Sequence, residues 1–173
     1  MNKYTEWIDL LSEKERQHEI IWRELYTKIG CIIHNSQLLE YDLCVLLIYN
    51  QTYQKIKNSD SITMSYLDDL DNEADRFYEK LKKMTMGQVA SNIDSIKELN
   101  DNHKKEIKSI IKTRNDIVHN IFKDRLKDNW FKKHENIDAL INEYDSFVRK
   151  IIEENKSILK MIKLLKSNVM KLF

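Results

Sequence analysis

The stretch IKSIIKTRNDIVHNIF, residues 107–122, decides how this chain is read. Ile107, Ile110, Ile111, Ile117, Val118, Ile121 and Phe122 recur three and four residues apart, the spacing at which side chains share one face of an α-helix. Arg114 falls inside that apolar stripe. A guanidinium in such a place is met by a carboxylate from a neighbouring helix, or stands where the stripe opens into a cleft.

Around this segment the chain is 173 residues long, with 29 Lys plus Arg against 28 Asp plus Glu. It has two glycines, Gly30 and Gly87, and no proline. So few turn formers leave little material for hairpins, which excludes a many-stranded sandwich or barrel and leaves an all-α fold. Hydrophobic spacing predicts a helix over 4–28, a break at Gly30, and a much more apolar helix from Ile32 to about Ile56 that forms the centre of a bundle. Residues 57–63 are polar and read as a loop, and 64–84 as a further helix whose acidic run, Asp68 to Asp75, is a solvated face. A shorter helix follows Gln88 and runs to about Leu99, and Asn100, Asp101 and Asn102 offer N-caps for the helix that carries Arg114. Residues 127–135 read as a connector around Trp130 and Phe131, and 136–173 as one long helix or a broken pair. The expectation is one domain over residues 1–173, an antiparallel bundle of about five long helices.

Cys31 and Cys44 lie on one predicted helical stretch, about 20 Å apart along the axis, too far for a disulfide. Free thiols imply a reducing compartment. The acidic N-terminus does not read as a signal peptide, and the longest apolar run, Leu43 to Tyr49, is short for a membrane span, so a cytoplasmic protein with no membrane partner is expected. From residue 155 onward there are five lysines and no acids, interleaved with Ile158, Leu159, Met161, Ile162, Leu164, Leu165 and Val169. This basic amphipathic segment reads as the last helix of the bundle, as an arm contacting RNA or a partner, or as a membrane-surface helix.

No Gly-rich phosphate loop, His-Glu-x-x-His, zinc-spaced cysteine pair or nucleophile elbow is present. Glu15-x-x-His18 and Asp116-x-x-His119 imitate di-iron ligand spacing, with Glu40 as an inward acid, but the first pair sits in a polar run and reads as a solvated face. No metal and no cofactor is expected. His34, His103 and His134 carry no specific signal.

Residues 114–120, Arg114-Asn115-Asp116-Ile117-Val118-His119-Asn120, carry the chemistry. An arginine clamps a phosphate with its planar fork, a histidine moves a proton near neutral pH, and Asn115 or Asp116 orients the ring: a set suited to phosphodiester transesterification without a metal. Five residues turn a helix by about 140° beyond a full turn, so one helix does not bring Arg114 and His119 to one point; two such helices in a symmetric dimer do. Alternatively, Arg114 is a structural ion pair, with Glu40 or an acid of the third helix as its partner. Lys104, Lys105, Lys108 and Lys112 precede Arg114 with Glu106 as the one intervening acid, and Lys123 and Arg125 follow the motif. Lys108, Lys112, Lys123 and Arg125 are candidate RNA contacts of the kind that position a strand without reading it.

In residues 111–122 the chain resembles the HEPN family (higher eukaryotes and prokaryotes nucleotide-binding domains), whose motif is an arginine, a polar residue after it and a histidine four to six places on. Residues 29–40 and 84–89 are similar to stretches of bacterial members. The resemblance implies a HEPN-like helical bundle, a homodimer, and a metal-independent endoribonuclease of the toxin or phage-defence (abortive-infection) kind, with an antitoxin or regulatory protein as a further partner. It implies Arg114 and His119 as catalytic residues, with Asn115 in support; Asp116 is added on structural grounds. Ile121 stands where the toxin branch silenced by a nucleotidyltransferase has a tyrosine. The other implied role is a non-catalytic scaffold that binds RNA or a partner protein.

Overall fold

The structure is a computed structural model that describes residues 12–124 and 137–172, and their side chains except those of residues 14 and 120–124. The expected start of the first helix over 4–11, the connector around Trp130 and Phe131, Arg125 and the side chain of Lys123 lie outside the described residues. Those residues form an all-α bundle of five helices: α1 (Glu13–Lys57), α2 (Met64–Leu81), α3 (Met86–Ser91), α4 (Asp101–Asp124) and α5 (Ile137–Met170). A 3-10 turn, Asn92–Ser95, follows α3.

Local chemistry explains where the helices begin. Ser12 and Glu15 form a capping box at α1, with Glu15 Oε2 accepting from the Ser12 N–H at 2.8 Å, so the acid of the Glu15-x-x-His18 pair is used as a cap. Its carboxyl is held below the usual carboxylate range by those Ser12 hydrogen bonds. Thr63 Oγ1 accepts from the Tyr66 N–H at 3.2 Å at the start of α2. Thr85 and Gln88 form a second capping box at α3. Asn100 Oδ1 accepts from the His103 N–H at 3.0 Å, as its place before α4 predicts.

Two boundaries differ from the sequence expectation. Gly30 does not break the chain: α1 is one helix of 45 residues, about 68 Å at 1.5 Å per residue. A helical glycine costs only about 1 kcal/mol against alanine, and the residues on either side of it are anchored. Leu25, Ile29, Ile32, Ser36, Leu39, Leu43, Leu46 and Asn50 are all buried, in alternating steps of four and three. In α5, Tyr144, Phe147, Ile151, Glu154, Ile158 and Leu165 are buried on the same seven-residue period. The two seams pack along one another as in a coiled coil, and α1–α5 is the largest interface of the bundle. By length and composition part of α1 is long and apolar enough to cross a bilayer, but its seam residues are spent on the bundle core. The second difference is α3, which stops at Ser91; Ile93 enters the core from the 3-10 turn after it, and Ile96 and Leu99 from the irregular segment that follows.

Cross-helix pairs give the directions. Lys28 meets Asp145 at 2.8 Å, and Asp42 hydrogen-bonds Asn155, so α1 and α5 run the same way. His103 pairs with Glu154 at 2.8 Å, and Glu106 with Lys150, so α4 runs antiparallel to α5. Gln54 reaches Glu98, just ahead of α4, at 3.4 Å, and Glu40 feels the charge of Arg114, so α4 is also antiparallel to α1. The C-terminal basic segment belongs to the bundle: α5 is unbroken to Met170, and Ile158 and Leu165 are fully buried while Lys156, Lys160, Lys163 and Lys166 face solvent.

Candidate functional site

α4 carries the predicted site and presents two sides. Ile107, Ile110 and Ile111 enter the core and fix its rotation. Arg114, one turn on from Ile110 and Ile111, is half-buried toward α1, with its Nε shielded from solvent and without a hydrogen-bond partner among the described residues. Its Nη1 donates to Asn115 Oδ1 at 2.9 Å. Across from it on α1, burial pushes the Glu40 carboxyl up, and the Arg114 guanidinium pulls it back down. Among the described residues the two form no direct ion pair; the arginine is held by a through-space field and by its own neighbour.

A groove of about 490 Å³ opens beside the motif, between α3 and α4. Ile111, Lys112, Asn115 and Asp116 form its α4 wall, and Gly87, Ala90 and Ser91 its α3 wall. At one end Asp94 takes both Lys108 contacts, at 2.7 and 2.8 Å, so this lysine is committed to the fold. Lys112 is exposed and makes no ion pair among the described residues.

His119 is exposed on α4. The two sequence-predicted catalytic residues are therefore not brought together within one chain, as their spacing requires. Asn115 and Asp116 do meet in the groove. The expected hydrogen bond from the imidazole to Asp116 is not formed, because Asp116 turns to the groove wall while His119 faces solvent.

Sequence reasoning passed over two features. His103 Nδ1 lies 2.8 and 2.9 Å from the two carboxylate oxygens of buried Glu154, a pair that ties the start of α4 to α5; a histidine three residues after an N-cap is the one available signal. The groove wall at Gly87, Ala90 and Ser91 was visible only as a glycine inside a capped helix start. Among the described residues no group of three or more His, Cys, Asp or Glu side chains is placed to hold a metal ion. Chemically, the arrangement offers a held guanidinium, an exposed imidazole, a free ammonium and a groove with acceptor and donor groups on one wall. Compared with known proteins, the chain matches no family model, no curated protein and no solved structure.

Proposed function

We propose that the protein is a metal-independent endoribonuclease of the HEPN type, acting as a homodimer in which Arg114 and His119 of both protomers line one cleft. The observation that carries this reading is the state of α4: an arginine fixed by Asn115 with Nε unused, and an exposed histidine on the following turn. In the reaction the 2′-oxygen attacks the adjacent phosphorus, a P–O2′ bond forms, and the P–O5′ bond breaks. His119 takes the proton of the 2′-hydroxyl or delivers one to the leaving 5′-oxygen, and a dimer supplies one imidazole for each task. Arg114 stabilises the charge that gathers on the phosphorane. The products are a 2′,3′-cyclic phosphate and a 5′-hydroxyl. Asn115 holds the guanidinium, and Lys112, with Lys123 and Arg125 beyond it, contacts flanking phosphates.

The resemblance of residues 29–122 to the family supports the setting: a cytoplasmic toxin or phage-defence effector, needing no cofactor, restrained by an antitoxin or regulatory protein. A second reading rests on Glu40. Its carboxylate across from Arg114 suits an arginine that locks α4 to α1, in a non-catalytic scaffold that binds RNA or a partner protein.

The test is RNA cleavage in EDTA. Cleavage that leaves cyclic phosphate ends, and that stops when the nucleotide 5′ to the scissile bond is 2′-deoxy, supports transesterification. Folded protein that cuts no RNA supports the scaffold.

A further inference from the structure

The groove between α3 and α4 has a composition that phosphate chemistry does not account for. Its size, about 490 Å³, lies within the roughly 300–1,000 Å³ of small-ligand sites. Its floor is apolar, from buried Ile111 and Ala90, and Gly87 leaves one wall without a side chain. On the α4 wall, Asp116 supplies a carboxylate that only accepts hydrogen bonds. Asn115 Oδ1 is already taken by Arg114, so this amide has its N–H donors left for the groove. Lys112 adds a cation at the rim.

An apolar slot with an acceptor pair beside donors is complementary to one nucleobase edge. Guanine presents two adjacent donors, N1–H and the N2 amino group, next to the O6 acceptor. Adenine presents an acceptor at N1, which a carboxylate repels, and its amino group on the other side. Asp116 matches the guanine donors, and the Asn115 amide N–H matches O6. We propose that this groove binds a guanine base of the RNA strand, with Asp116 as the specificity-determining residue. The proposal rests on the ribonuclease reading of α4, and it places a base next to the Arg114 guanidinium through Asn115, so that cleavage occurs beside guanosine.

The test uses the His119→Ala protein, in which cutting is expected to be lost, and fluorescein-labelled oligouridylates carrying one central guanosine, inosine or adenosine. Inosine lacks the N2 amino group. Fluorescence anisotropy is expected to show the guanosine oligonucleotide binding about tenfold more tightly than the other two, the lower range for a bidentate base contact. Gly87→Leu is chosen to fill the groove; a Cβ at Gly87 meets Thr85 Oγ1 at 4.0 Å and nothing nearer, so the new side chain leaves the backbone without a clash. Gly87→Leu and exposed Asp116→Asn are each expected to remove the preference. Equal binding of the three, no binding of any, or a preference that survives both substitutions overturns the proposal. Wild-type cleavage of the same oligonucleotides in EDTA separates the two claims: cutting without base preference overturns the guanine site and leaves the nuclease, whereas guanosine-selective binding without cutting does the reverse.

Discussion

Arg114 and Asn115, consecutive on α4, are joined by a hydrogen bond of 2.9 Å from the guanidinium Nη1 to the amide Oδ1. Neighbours on a helix point about 100° apart, so the bond links the arginine, whose charge acts on Glu40 of α1, to the neighbour that lines the groove. One residue thus connects the packing of α4 with its candidate chemistry. Asn115→Ala frees the guanidinium while leaving its charge, and is expected to reduce RNA cleavage at least tenfold with little change in thermal stability, read from rates and melting curves on the same samples.

Gly30 is exposed in the interior of α1, and a Cβ there meets nothing within 4 Å. Gly30→Ala is expected to stabilise the protein by about 0.5–1 kcal/mol, seen in urea denaturation. A loss of stability would show that the surface at Gly30 is covered in the assembled protein.

The two thiols differ sharply. Cys31 is exposed, whereas burial, with the nearby charge of Glu40, pushes the Cys44 thiol up to about 11. Iodoacetamide at pH 8 is expected to alkylate Cys31 in the native protein and both cysteines after unfolding, as mass spectrometry of peptides would show.

Burial raises the Asp42 carboxyl, and its hydrogen bond from Asn155 only partly offsets this. The folded state therefore takes up a proton more readily than the unfolded chain. The associated stability is present below the unfolded carboxyl value and is lost as pH rises through the folded one. Asp42→Asn is expected to raise the melting temperature at pH 7 and to leave it unchanged near pH 3. An equal gain at both pH values would contradict burial of the charge as the cause.

Removing residues 155–173 takes away Ile158 and Leu165, both fully buried. Each such side chain costs about 2–5 kcal/mol when truncated, against a total of about 5–15 for a domain. Circular dichroism of the shortened chain is expected to show loss of cooperative unfolding; a folded product would assign the segment to an arm.

Much of this was legible in the residues. The isoleucines of 107–122 and the scarcity of glycine and proline imply long helices, and Arg114 in an apolar stripe implies a nearby acid or a cleft; Glu40 lies across from it, but the expected ion pair is not formed. What could not be read is tertiary. Gly30 looks like a break because propensity is local, while the seam from Leu25 to Asn50 that carries the helix through it depends on α5. Ile93, Ile96 and Leu99 show helical spacing, yet they fill the core from a 3-10 turn and the irregular backbone after it because α3 ends at Ser91. The groove needs α3 laid against α4, and its position beside Asn115 and Asp116 follows from packing rather than motif.

The most direct measurement is RNA cleavage in EDTA by wild type beside Arg114→Ala and His119→Ala, with all three shown to be folded dimers. The account predicts that wild type cuts, leaves 2′,3′-cyclic phosphate, and loses at least about a hundredfold in rate with either substitution. Cleavage that persists undiminished in both variants, or a folded wild-type dimer that cuts no RNA, would contradict it.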